Sequence, residues 1–159
     1  MTHPTPCSAH VVLVNPEIPW NTGNAGRSCL AFGARLHLVR PLGFSLDDKA
    51  VRRAGLDYWA EVDPLVHEGW PSFEAWRAAQ GLGPPWLVTP EGERTLWEAP
   101  LEACPVLVFG RESRGLPEAL RAAWPDRRVR VPTLPSAVRS LNVSTVVGIA
   151  LAERARRGG

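Results

Sequence analysis

The chain has 159 residues, 45% of them hydrophobic and 21% charged, with 14 Gly and 16 Pro. That is the size and make-up of one globular domain, and it excludes a disordered, collagen-like or coiled-coil chain. The net charge of +2 conceals an asymmetry: residues 1–120 carry 10 basic and 14 acidic side chains, whereas residues 121–159 carry 8 Arg against Asp126 and Glu153. A basic final quarter fits either a phosphate-bearing partner or simply a solvated basic surface, and charge alone does not separate the two.

Residues 1–159 are read as a single domain, with residues 1–9 a flexible N-terminus. His10–Val14 is a short Val-rich run, the pattern of a buried strand. Asn24–Phe32 has helical composition and stops at Gly33, a C-cap residue. Arg35–Val39 is a second strand. Ser45 is placed to cap a helix through Asp47, Asp48 and Lys49 to Ala54, which Gly55 ends. Tyr58–Val62 reads as a short strand. Ser72 is placed to cap a helix over Phe73–Gln80, which Gly81 ends. Trp86–Thr89 and Val106–Phe109 are buried-strand patterns. Pro117 suits the first turn of a helix through Trp124. Val129–Val131 is another strand, and Leu141–Arg157 a long final helix with Val143, Val146, Val147, Ala150 and Leu151 at helical spacing. Strands alternating with helices predict an α/β domain, a mostly parallel sheet flanked by helices.

No apolar run approaches the ~18 residues of a membrane span. The N-terminus lacks the basic and apolar regions of a signal peptide. A cytoplasmic protein without membrane contact is expected. Cys7, Cys29 and Cys104 are odd in number and lack Cys-x-x-Cys spacing, so buried free thiols are expected and no metal site. His3, His10, His37 and His67 are scattered along the chain and receive no role. The seven Trp are expected mainly in the core or an interface, with base stacking open to Trp20 and Trp59.

In an open parallel sheet, ligands bind beyond the carboxyl ends of the strands. Three polar loops leave strand ends here. The first, Asn15 to Arg27, holds two Pro, two Gly and three Asn, and opens a helix. It lacks the Gly-Lys-Ser/Thr of a phosphate loop. With a helix beginning near Asn24, Arg27 falls in the first turn, against the dipole, and so has a function or an acidic neighbour. The second, Phe109 to Pro117, has Gly110 and Gly115 for close backbone approach and Glu112 between Arg111 and Arg114. The third, Val131 to Ser144, runs from a Pro-rich stretch into Ser140-Leu141-Asn142-Val143-Ser144, with Ser140 a plausible N-cap.

These stretches, in this order, resemble the SPOUT-class RNA 2′-O-ribose methyltransferases, and among them the small tRNA wobble-position enzymes of the TrmL (YibK) type. The resemblance rests on Pro-Glu-Ile-Pro-x-Asn-Thr-Gly-Asn (16–24) with Arg27 and Cys29, and on Gly-Phe-x-x-Asp-Asp-Lys (43–49). Arg-Arg-Ala-Gly-Leu-Asp-Tyr (52–58), Phe-Gly-x-Glu-x-x-Gly-Leu-Pro (109–117) and Arg-Ser-Leu-Asn-Val-Ser (139–144) complete it. It spans about residues 10–156. Thr133 stands where the family often has Met, and Trp20 where another Pro is common.

The resemblance implies a six-stranded parallel sheet with a C-terminal trefoil knot, S-adenosylmethionine held by the knot loops (S-adenosylhomocysteine as product), and a homodimer with its active site at the interface. It implies methyl transfer to the ribose 2′-hydroxyl at position 34 of tRNA, bound through its anticodon stem-loop, without a metal. Arg27 matches the motif-one arginine, as base or as a cation stabilising the alkoxide; a guanidinium pKa above ~12 makes the base awkward. Asn21 would hold the arginine loop. Glu112 and Asn142 would order the catalytic loop and cofactor pocket, and Ser140 and Ser144 would contact ribose or arginine. Cofactor contacts would fall, largely through backbone, on Val88, Thr89, Gly110, Val131, Pro132 and Leu141, with Glu112 and Ser144 beside them. Two alternatives are a related enzyme acting on another tRNA or rRNA nucleotide, and a non-catalytic RNA-binding dimer. The chain length favours the wobble enzyme, and the set Arg27, Glu112 and Asn142 disfavours the pure binder.

Overall fold

Short aliphatic strands with two apolar faces are stable only in a sheet covered on both sides. The computed structural model, described for residues 7–55 and 58–158, has that architecture. Its strands are β1 (His10–Val14), β2 (Arg35–Val39), β3 (Leu65–His67), β4 (Trp86–Val88), β5 (Arg94–Thr95), β6 (Val106–Phe109) and β7 (Arg128–Arg130). They form one sheet in the order β3-β2-β1-β6-β4-β7-β5, with every pairing parallel. The seventh strand, beyond the six the resemblance implies, is the two-residue edge strand β5. The helices are α1 (Pro19–Phe32), α2 (Lys49–Gly55), α3 (Trp59–Val62), α4 (Trp70–Ala79), α5 (Glu118–Ala123) and α6 (Val143–Gly158). Among the described residues no helix is long and apolar enough to cross a membrane.

The period of two along each strand divides the core. Val11, Leu13, Leu36, Leu38, Leu107 and Phe109 face one layer, against Ala25 and Cys29 of α1 and Val147, Ala150 and Leu151 of α6. Val12, Val14, Val39, Val106 and Val108 face the other, against Phe73 of α4 and Leu120 of α5. All of these are buried, each Val or Leu contributing roughly 1.5–3 kcal/mol. Strand β7 inserts between β4 and β5, although only residues 89–93 separate those two strands. A Cβ at Gly92 would lie 2.3 Å from the Val129 carbonyl carbon, so only glycine lets this loop lie directly on β7.

Several expectations are corrected. Helix α1 begins at Pro19, five residues before Asn24; proline at the first position has its φ already set for a helix. Helix α2 begins at Lys49, where Asp48 Oδ1 accepts from the Ala50 N–H at 2.7 Å, while Ser45 Oγ only accepts from the Asp47 N–H at 3.2 Å in the preceding turn. Within Tyr58–Val62 the structure has helix α3, not a strand: Trp59 and Val62, three residues apart, both pack on α1 beside Gly26. Trp59 is half-buried and packs against the core, whereas Trp20 is 54% exposed. Helix α4 begins at Trp70, with Pro71 rather than Ser72 shaping its start. Strands β3 and β5 were not expected, being too short to show a period. The expected flexible N-terminus lies outside the described residues over 1–6, but residues 7–9 are placed: Ala9 is buried, and Ser8 N–H donates to the Gly33 carbonyl at 3.0 Å.

The histidines are not scattered in space. Strands β1, β2 and β3 bring His10, His37 and His67 into a row, with His10 Nδ1 2.9 Å from His37 Nε2 and His37 Nδ1 3.0 Å from His67 Nε2. Phe73 and Trp76 of α4 pack their rings against it. Burial pushes the pKa of His37 down to about 2, with its neighbours His10 and His67 adding to the shift, so the ring is neutral.

Candidate active site at the carboxyl ends of the strands

The loops after β1, β4, β6 and β7 surround a cavity of about 860 Å³, where an open parallel sheet is expected to bind its ligand. Two clasps close its wall. In the first, the Glu17 N–H donates to Glu112 Oε2 at 2.9 Å. Glu17 returns the link, accepting from the Ser113 N–H at 2.9 Å and from the Ser113 hydroxyl at 2.8 Å. Those bonds, with Arg111 and Arg114 nearby, hold the Glu17 carboxyl below the usual range. The first and second loops are thus joined across about a hundred residues of sequence.

The second clasp joins the first and third loops. Asn142 Nδ2 donates to Asn21 Oδ1 at 2.9 Å, and Asn21 is 2% exposed. Asn142 Oδ1 meanwhile accepts from the Ser144 N–H at 2.8 Å and from the Ser144 hydroxyl at 2.6 Å. Asn142 is therefore the cap of α6, in place of Ser140. One amide fixes the helix start and grips α1. Replacing Asn142 with Ala is expected to cost about 1 kcal/mol, a fall of about 2–4 °C in thermal unfolding. Asn142→Asp, which keeps the cap oxygen but not the donor to Asn21, is expected to recover part of it.

Asn21, Val88, Thr89, Gly110, Glu112, Val131, Ser140, Leu141 and Asn142 line the cavity. Pro132, Ser144 and Arg27 do not. Ser144 is turned to the cap, and Pro132 is exposed on the third loop. Arg27 lies in the third turn of α1, so the first-turn dipole argument fails, and its side chain is exposed. It shares an exposed stripe with Trp20, Asn24 and Ala31, at helical spacing.

Five arginines on the wall were not singled out as ligands by the sequence reading: Arg111, Arg114, Arg121, Arg130 and Arg139. Two are structural. Arg121 pairs with Glu91, and Arg130 donates to the Gly92 and Glu93 carbonyls at 2.8 Å. Among the described residues Arg111, Arg114 and Arg139 have no ion pair. The excess of arginine after residue 120 was the only signal for the late ones.

The SpoU rRNA methylase family matches residues 8–152, nearly the whole chain. The chain belongs to the SpoU methylase family. A relative from Methylovorus glucosotrophus, a tRNA (cytidine(34)-2'-O)-methyltransferase, is 45% identical over 148 residues, which cover 92% of this chain and 94% of that one. The enzyme of the same name from Burkholderia pseudomallei is 44% identical over 94% of this chain and 96% of its own. A solved structure concerned with 2-OH methylation of C/U34 on tRNA superposes with a TM-score of 0.87 at 41% identity, covering 96% of this chain and 97% of the other. The SpoU methyltransferase AviRb from Streptomyces viridochromogenes, solved with AdoMet, superposes with a TM-score of 0.78 at 26% identity, over 97% of this chain and 59% of AviRb. The SpoU fold is thus shared from β1 to α6.

Proposed function

We propose that this SpoU-family chain transfers a methyl group from S-adenosylmethionine to the ribose 2′-hydroxyl of the tRNA wobble nucleotide, position 34. The observation that carries this reading is the cavity walled by the Glu17–Glu112–Ser113 and Asn21–Asn142 clasps, in a chain 45% identical over 92% of its length to a tRNA (cytidine(34)-2'-O)-methyltransferase. The cavity's volume suits a nucleoside-sized ligand. Val88, Phe109, Val131 and Leu141 offer apolar walls for a purine, and Glu91 and Glu112 are the acidic residues on a lining that must accept a sulfonium cation. When bound, S-adenosylmethionine supplies an electrophilic methyl that needs only an aligned oxygen.

The chain's own residues do the rest. The clasps hold the loops rigid, so binding costs less ordering entropy and the acceptor oxygen is held in line. Arg111, Arg114 and Arg139 present unpaired positive charge to RNA phosphates. Arg27 acts as a cation, stabilising charge that develops on the ribose oxygen. Arg27 is exposed and outside the lining of its own cavity, so on this reading the site is completed in a homodimer, where the partner subunit's Arg27 approaches it. The exposed Trp20, Leu134 and Val138, at 54%, 77% and 55%, supply the apolar surface of that interface. The C-terminal trefoil knot and a cytoplasmic setting belong to the same reading; the insertion of β7 between β4 and β5 supports the former.

The test is methyl-labelled S-adenosylmethionine with bulk tRNA, followed by nuclease digestion and mass spectrometry. The expected product is a 2′-O-methyl group at position 34, with Arg27→Ala slowed about 10²-fold. Label at another nucleotide would overturn the target, and equal rates for both proteins would remove Arg27 from the chemistry. Light scattering is expected to give twice the chain mass; a monomer active in dilute solution would sink the shared site.

A further inference from the structure

The end of the sheet opposite the cavity holds a second cluster with its own chemistry. Cys7 precedes β1, His10 is the first residue of β1, and Cys104 lies two residues before β6. The His10 N–H donates to the Pro105 carbonyl at 2.9 Å, pinning the two segments side by side. One ligand atom from each of Cys7, His10 and Cys104 lies within 4.8 Å of the other two. Around a tetrahedral zinc ion, with its usual Zn–S and Zn–N bonds, such atoms lie roughly 3.5–3.8 Å apart. Side-chain rotation covers the difference. His10 is buried and both cysteines are half-buried, so the cluster is shielded from bulk water yet reachable.

The surroundings are those of a supported ligand. His10 Nδ1 is engaged by His37, which leaves Nε2 for an ion. A neutral imidazole has one N–H and one lone pair. An ion on His10 Nε2 puts the His10 proton on Nδ1, donating to His37 Nε2. The neutral His37 then carries its proton on Nδ1 and donates to His67 Nε2. One bound ion thereby fixes the tautomer of all three rings, a use for a buried row of histidines that methyl transfer does not employ.

We propose that Cys7, His10 and Cys104 form a zinc site, two thiolates and one imidazole with the fourth position open to water. Two sulfurs and a nitrogen, with no carboxylate among them, suit zinc and not magnesium or calcium. Binding releases the thiol protons to solvent and forms Zn–S bonds in their place, with no change of oxidation state. The ion ties residues 7–10 to the start of β6. The spacing of the ligands in sequence hides the site, since Cys7 and His10 are a local pair and Cys104 comes from the far side of the chain.

The test is a titration of the reduced, chelator-stripped full-length protein with Co²⁺ under anaerobic conditions. One equivalent is expected to give thiolate-to-cobalt charge transfer and the intense d–d bands of a tetrahedral site, both erased by Zn²⁺. Cys7→Ser and Cys104→Ser should each weaken the charge-transfer band, and the double variant should abolish it. One equivalent of Zn²⁺ is expected to raise the unfolding temperature of the wild type and not that of Cys104→Ser. Cys104→Ser should methylate tRNA as the wild type does, which also reports that it is folded. Absence of the bands in folded, reduced wild type would overturn the site. So would bands undiminished in the double variant, or a Cys7–Cys104 pair that forms a disulfide in air but takes up no metal after reduction.

Discussion

Gly110→Ala is expected to abolish methyl transfer and cofactor binding while costing about 3 kcal/mol of stability. Gly110 directly follows β6, in the second cavity loop. A Cβ there would lie 2.2 Å from the Gly115 carbonyl carbon and 2.3 Å from the Leu116 nitrogen, both backbone atoms that no side-chain rotation can move. The reason is close approach. The turn returns on itself, with the Gly115 N–H donating to the Arg111 carbonyl at 2.9 Å, and Gly115 itself at φ 66°. Opening this turn would also displace Glu112 and Ser113 from Glu17, so the wall and the clasp fail together. Calorimetric titration with S-adenosylhomocysteine and the tRNA assay check it. A variant that binds and turns over normally would show that the loop is not fixed as described.

Glu102→Ala is expected to lower stability by about 3 kcal/mol, a fall of about 6–12 °C in unfolding temperature, with the active site intact. Glu102 accepts from the buried Trp86 Nε1 at 2.7 Å and from Arg127. The Arg127 guanidinium lies 3.8 Å above the Trp86 ring. Truncation leaves a buried indole N–H without its partner and a cation without its counter-charge. Burial pushes the Glu102 carboxyl up, but the bonds from Arg127 and Trp86 outweigh it and hold it below its ordinary 4.5. A carboxyl whose pKa is lower folded than unfolded stabilises the protein above the unfolded value, and that contribution is lost as the pH falls through the folded one. Glu102→Gln should therefore flatten the acid side of the stability profile while keeping part of the Trp86 bond. An unchanged unfolding temperature for Glu102→Ala would show that the three groups are not coupled.

How far the sequence could be read depends on the range of the forces involved. Strands β1, β2 and β6 have the expected bounds, because the apolar runs of β1 and β6 and the alternation of Leu36 and Leu38 in β2 lie between polar loops and each have one favourable place in an α/β domain. Helix α1 begins five residues before the expected Asn24; Asn21, Thr22 and Gly23 are poor helix formers whose composition suggests a loop. They are helical because burial against α2 and α6, with Asn142 bonded to Asn21, outweighs their intrinsic preference. Nine of the twelve site residues named from sequence line one cavity, since loops at the carboxyl ends of parallel strands must converge.

The α/β class, the three loops and the family are legible from the residues alone, because all of them rest on local pattern and ordered motifs. Only packing leaves Arg27 exposed and outside the lining of its own cavity, makes Asn142 and not Ser140 the cap of the last helix, and lets Glu17 reach Ser113. It alone brought His10, His37 and His67 into one row and Cys7 to Cys104. The Glu17–Ser113, histidine-row and Cys7–Cys104 approaches join residues from 27 to 97 positions apart. Spacing along a chain carries no information about them; strand order and register set them, and both are fixed by the packing of the whole domain.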